Sequence, residues 1–118
     1  MAVSIVHLFV STGRFSSFEA LREFIDPTYT DDGDFVPSTF IEEVRLDDYE
    51  PGCIETVCEP QPKPIRELLA GVSYAEQWLK FLDPRLIASE AICVFQPNTI
   101  ARPANSSLYA GAYYYKSP

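Results

Sequence analysis

Residues 3–10 (VSIVHLFV) are apolar at nearly every position and rich in β-branched side chains, the pattern of a strand buried on both faces in the middle of a sheet. Gly13 permits a turn. Ser16 followed by Glu19 three residues on has the spacing of a capping box, which predicts a helix start. Phe18, Leu21, Phe24 and Ile25 share one helical face, and Asp26-Pro27 ends the helix because a residue before proline is pushed out of the α region. Residues 28–36 (TYTDDGDFV) carry loop chemistry around Gly33. Pro37 suits a first helical turn, and Phe40, Ile41 and Val44 give a second, short apolar face that should end near Leu46.

The chain holds no internal repeat, although its two halves share a capping-box helix ended by Asp-Pro. Cys53 to Cys58 alternates as a strand, with Glu55 and Val57 on one face and Ile54 and Thr56 on the other. Three prolines between Glu59 and Pro64 predict a stiff connection. Ile65, Leu68, Leu69 and Val72 then recur at helical spacing, and Ser73 with Glu76 predicts a second capping box before the apolar stripe Tyr74, Trp78, Phe81 and Leu82. Asp83-Pro84 stops that helix. Residues 88–96 and 107–116 read as two further strands, expected to pair with each other as an antiparallel hairpin. The order β-α-α-β-α-α-β-β predicts an α+β fold in which about four helices pack on one face of a small, mainly antiparallel sheet of about four strands.

The chain length of 118 residues fits one domain spanning 1–118. With 47% apolar and 22% charged residues it holds enough apolar surface to fold. Three cysteines, an odd number, point to a reducing compartment rather than a disulfide framework. No basic residue precedes the apolar start, as a signal peptide requires, and no run approaches a bilayer span, so a cytoplasmic location is expected. The net charge of −8 opposes binding to nucleic acid or to anionic membrane.

Catalytic chemistry finds little support in the residues. His7 is the only histidine and the natural general base, yet a histidine on an apolar strand is more often structural. Ser11, Thr12 and Gly13 follow a strand and precede a helix, as phosphate-binding loops do, without the glycine and lysine spacing of such a loop. Neither the Asp31, Asp32, Gly33, Asp34 run nor the cysteines have the spacing of a calcium or zinc site, so no metal and no cofactor is expected. Tyr113, Tyr114 and Tyr115 suit either a recognition strip or packing on the helices.

The distribution of charge is more informative than its sum. Residues 19–59 hold 13 of the 17 acidic residues and only Arg22 and Arg45, a local net of −11, while the remaining 77 residues net +3. Such a segment repels itself, and one physical use for it is to steer and orient a basic partner.

Several short motifs in order along the chain resemble the immunity protein 22 family. They are VHLFVSTGRF, the Asp-Pro-x-Tyr and Asp-Gly-Asp elements, Pro-Ser-x-Phe, Asp47-Asp48-Tyr49-Glu50 ahead of Ile54-Glu55, Glu67-Leu68-Leu69 and Ser73-Tyr74. One departure is Phe9 and Gly13 standing where that pattern favours Trp and a closer glycine. The resemblance implies a bacterial antitoxin-like protein, not an enzyme, that neutralises a polymorphic toxin. Nucleases are among such toxins, including DNases with a GHH signature exported by type VI secretion. A basic nuclease bound one-to-one suits the acidic segment, and the expected contacts are Asp31, Asp32, Asp34, Asp47, Asp48, Glu50 and Glu55, with Tyr49 as an anchor between them. Two other readings predict different features. A ligand-binding or enzymatic domain would use the 11–14 turn with His7, and a structural subunit would associate through the tyrosine-rich last strand.

Overall fold

In the computed structural model, which describes residues 2–118, ten residues of continuous strand open the chain. This strand, β1 (Ala2–Ser11), is followed by α1 (Phe18–Ile25), a short hairpin of β2 (Thr28–Tyr29) and β3 (Phe35–Val36), and α2 (Thr39–Val44). After a 3₁₀ turn come β4 (Ile54–Pro64), the four-residue helices α3 (Ile65–Leu68) and α4 (Ala75–Trp78), β5 (Ile87–Phe95) and β6 (Tyr109–Ser117). The fold is α+β, with a four-stranded antiparallel sheet in the order β4-β5-β1-β6 and a separate two-stranded ribbon, β2-β3.

The central position expected of the first strand is found: β1 pairs with β5 on one side and β6 on the other. That placement overturns the expected hairpin between the last two strands. β5 and β6 are joined by residues 96–108, long enough to cross from one side of β1 to the other, so that both hydrogen-bonding edges of β1 are paired while its two apolar faces are left to the helices.

Helices cover both faces of the sheet rather than one. Val6, Leu8, Ala91, Cys93 and Phe95 pack with Ile65, Leu69 and Trp78 from the α3–α4 side. Phe9, Ile92, Val94 and Ile54 pack with Leu21, Ile25, Phe40 and Val44 from α1 and α2. Alternation along β1 and β5 sends neighbouring residues to opposite layers, and both sets are large and apolar, so each layer needs its own helical cover. Across β4 the same alternation places Glu55 and Val57, opposite Cys93 and Ala91, on the α3–α4 face.

Helix starts differ from expectation by small, explicable amounts. The cap of α1 is Ser17 rather than Ser16, its hydroxyl accepting from the Ala20 N–H at 3.1 Å. Ser38 caps α2, accepting from Ile41 N–H while donating to the Ile25 carbonyl at 2.7 Å, so one buried hydroxyl joins the end of α1 to the start of α2. The second capping box does not form. Tyr74 takes the left-handed conformation (φ 60°) at the head of α4, and the backbone of Ser73 is used by tertiary partners. Its N–H donates to Glu55 and its carbonyl accepts from the Trp78 indole. The proline-rich 59–64 stretch continues β4 across a register shift instead of leaving the sheet.

Candidate functional site

The acidic segment up to residue 50 lies on one side of the sheet. α1, the β2–β3 hairpin, α2 and residues 47–50 lie in or beside the layer built on Phe9, Ile92 and Val94, and Glu19, Glu23, Asp31, Asp32, Asp34, Glu42, Asp47, Asp48 and Glu50 are all exposed. Lys63, Arg66, Lys80 and Arg85 belong to β4, α3 and the α4–β5 stretch that cover the other face. Glu67, Glu76 and Asp83 are exposed on that same side, and Arg45 and Arg102 are exposed beside α2.

Asp31, Asp32 and Asp34 sit at the hairpin tip. The turn is closed by Gly33 N–H donating to the Thr30 carbonyl and by Asp34 N–H donating to the Thr30 hydroxyl, with Gly33 at φ 87°, a left-handed conformation that glycine adopts without strain. Just below the tip, Tyr29 and Phe35 pair across the ribbon edge to face with ring centroids 5.9 Å apart, although Tyr29 is 62% exposed and Phe35 48%.

Asp47, Asp48 and Glu50 are held in place by backbone bonds. Asp47 N–H donates to the Thr99 carbonyl and Glu50 N–H to the Asn98 side chain, which leaves the carboxylates outward. Tyr49, between them, is half-buried. Its hydroxyl donates to Asp26 Oδ1, and the same carboxylate receives two bonds from the Arg22 guanidinium, Nε at 3.1 Å and Nη2 at 2.6 Å. Burial and the adjacent Asp26 carboxylate push the Tyr49 hydroxyl up to about 12. The Tyr49–Asp26 bond ties the 47–50 segment to the end of α1, two residues before the hairpin begins, so the two acidic clusters share one scaffold. Glu55 is not brought to them: it lies across the sheet and accepts from Ser73 N–H at 3.1 Å.

Periodicity did not single out the α1 surface. Phe18, expected on the buried stripe, is 51% exposed and outside both core clusters. With Glu19, Arg22 and Glu23 it lines a shallow, open groove that runs along α1 to its Asp26–Thr28 exit, all of its lining residues coming from 18–28.

The ligand-loop reading of residues 11–14 meets a competing occupant from the chain itself. Glu90, 2% exposed, accepts from the Ser11 hydroxyl at 2.6 Å, from Arg14 N–H at 3.1 Å and from Phe15 N–H at 3.0 Å, and Ser89 takes Gly13 N–H. The amides that would cradle a phosphate already hold a carboxylate. His7 does not line the cleft beside this turn; it is half-buried, 3.4 Å from the Tyr109 hydroxyl, and burial lowers its pKa. The tyrosine run divides by alternation. Tyr115 is buried and stacks on Tyr74 with centroids 4.7 Å apart, Tyr113 lies beside Trp78, and Tyr114 is exposed.

Among the described residues no group of three or more His, Cys, Asp or Glu side chains is arranged to hold a metal, and no helix is long and apolar enough to cross a membrane. The model of the family described as immunity protein 22 matches residues 6–95. No curated protein and no solved structure matches the chain.

Proposed function

The chain belongs to the immunity protein 22 family, whose role is to bind a cognate toxin, and from that premise we propose that this member neutralises a basic nuclease of the DNase kind in a one-to-one complex formed by its acidic face. What supports this reading is that α1, the β2–β3 hairpin, α2 and residues 47–50 lie in or beside the same layer of the sheet, with nine carboxylates exposed. A nuclease must offer cations to phosphate, and a rigid array of carboxylates competes for the same cations, accelerating encounter and fixing orientation. Asp31, Asp32 and Asp34 at the hairpin tip and Asp47, Asp48 and Glu50 beside α1 are the contacts in this scheme. Tyr49 acts by holding the second group against Asp26, and Glu55, across the sheet, stays outside the interface.

No catalytic step is required of this chain: it acts as an inhibitor, in the cytoplasm of a cell that delivers such a toxin by type VI secretion or meets it from a neighbour. The test is co-expression in a bacterial host of this chain with the toxin domain encoded by the adjoining reading frame. Survival and intact chromosomal DNA with this chain, against death and DNA degradation without it, are expected. Death in both cases overturns the reading, and survival with a toxin that leaves DNA intact in its absence overturns the nuclease assignment.

A further inference from the structure

The polar side of α1 is arranged at a cost to the free protein. Around the helix from the groove edge come Phe18, then Arg22 and Asp26, then Glu19 and Glu23. Arg22 and Asp26 satisfy each other. Glu19 and Glu23, one turn apart, form no salt bridge among the described residues, and like charges at that spacing destabilise a helix. Glu23 also lies in the last turn, where the helix dipole favours a cation, whereas Glu19 in the first turn is favoured by that dipole. Across the Arg22–Asp26 pair from them, half of Phe18 faces solvent, and Pro27 continues the apolar wall. The chain's own Arg14 lies over the Phe24 and Phe15 rings, 4.9 and 5.6 Å from their centroids, rather than on this pair of carboxylates.

We propose that this groove receives a segment of the toxin bearing two cationic side chains about one helical turn apart, whose aliphatic stems lie on Phe18 and Pro27 and whose charges meet Glu19 and Glu23. The inference rests on the toxin reading above and names the place where the partner inserts. Charge complementarity identifies the occupant, because a purely apolar segment would bury both carboxylates unpaired, whereas an arginine covers the ring with its stem and pairs its head.

Two measurements test it. The first is the affinity of the purified chain for a catalytically inactive form of the adjoining toxin domain. The Glu19→Gln/Glu23→Gln double variant should bind at least ten-fold more weakly than wild type at 0.15 M salt, with a shallower salt dependence. Its thermal midpoint should stay close to that of wild type, because the relieved Glu19–Glu23 repulsion offsets the lost dipole contribution of Glu19, and this excludes unfolding as the cause. Phe18→Ala should dissociate about ten-fold faster, and Glu67→Gln/Glu76→Gln, an equal charge change on the α3–α4 side, should bind within two-fold of wild type. A Glu19→Gln/Glu23→Gln affinity within two-fold of wild type overturns the groove and leaves the toxin reading standing. The second is an NMR titration with millimolar acetyl-Leu-Arg-Ala-Ala-Ala-Arg-Leu-amide. Shifts centred on 18–28 that vanish in the double variant support the groove even if the toxin reading fails, and shifts elsewhere or none overturn it.

Discussion

The hydroxyl of Tyr49 donates to the carboxylate of Asp26, which caps the C-terminal end of α1 and is also held by Arg22. One bond thereby fixes the 47–50 acidic segment against the helix from which the acidic hairpin departs. Tyr49→Phe keeps the ring and removes this bond while Arg22 still satisfies Asp26. It should cost about 1 kcal/mol in urea denaturation, since a hydrogen bond to a partly exposed charged group contributes modestly. Amide exchange should accelerate at residues 47–50 more than in β5.

The same pair sets a pH dependence. The folded pKa of Tyr49 lies above the ordinary tyrosine value of 10, at about 12, so between those values the folded state holds a proton that the unfolded state has released. The contribution is fully present below pH 10 and is lost as pH rises from 10 to 12. Stability measured across that range should fall less steeply in Tyr49→Phe than in wild type. Equal slopes would assign the loss to Tyr109, Tyr113 and Tyr115, whose values burial also raises.

Glu90→Gln tests the self-occupied turn. One carboxylate oxygen becomes an NH₂ that cannot accept, so either the Phe15 amide or the Ser11 and Arg14 donors lose their acceptor in a buried site. A loss of about 1–3 kcal/mol in folding stability is expected, with faster exchange at Arg14 and Phe15. If phosphate binds the variant and protects it, the turn is a ligand loop that the native carboxylate keeps closed.

Ser38→Ala removes a cap and a bridge together. The Ile41 N–H and the Ile25 carbonyl both lose a buried partner, so thermal and urea denaturation should report about 1–2 kcal/mol of destabilisation. Thr39→Ala, at the exposed neighbouring position, should stay within about 0.5 kcal/mol of wild type.

Asp47→Lys/Asp48→Lys reverses two exposed charges in a segment whose backbone is held at Asp47 by Thr99 and at Glu50 by Asn98, so the fold should be unaffected. Association with the toxin should slow by roughly ten-fold at physiological salt, and the acceleration seen for wild type at low salt should shrink, because steering scales with the opposed charges. Unchanged association kinetics would remove this segment from the interface.

What local physics controls was legible in the residues alone. Val3 to Val10, apolar at almost every step, had to be an interior strand. Asp26-Pro27 had to end α1, and the alternation from Ile54 to Val57 had to send Glu55 and Ile54 to opposite faces. The concentration of acidic residues between 19 and 59 was equally plain. Periodicity reports which residues share a face of one element, but not which element covers that face. Tertiary structure therefore decided that helices lie on both sides of the sheet, and that β1 separates β5 from β6. It also set Glu90, 75 residues away, against the Phe15 amide, left Phe18 beside a groove instead of in the core, and bound Tyr49 to Asp26. Each of these depends on long-range strand register and on the packing of distant segments. Their free energy comes from contacts that exist only once the chain has closed, so no local window of residues encodes them.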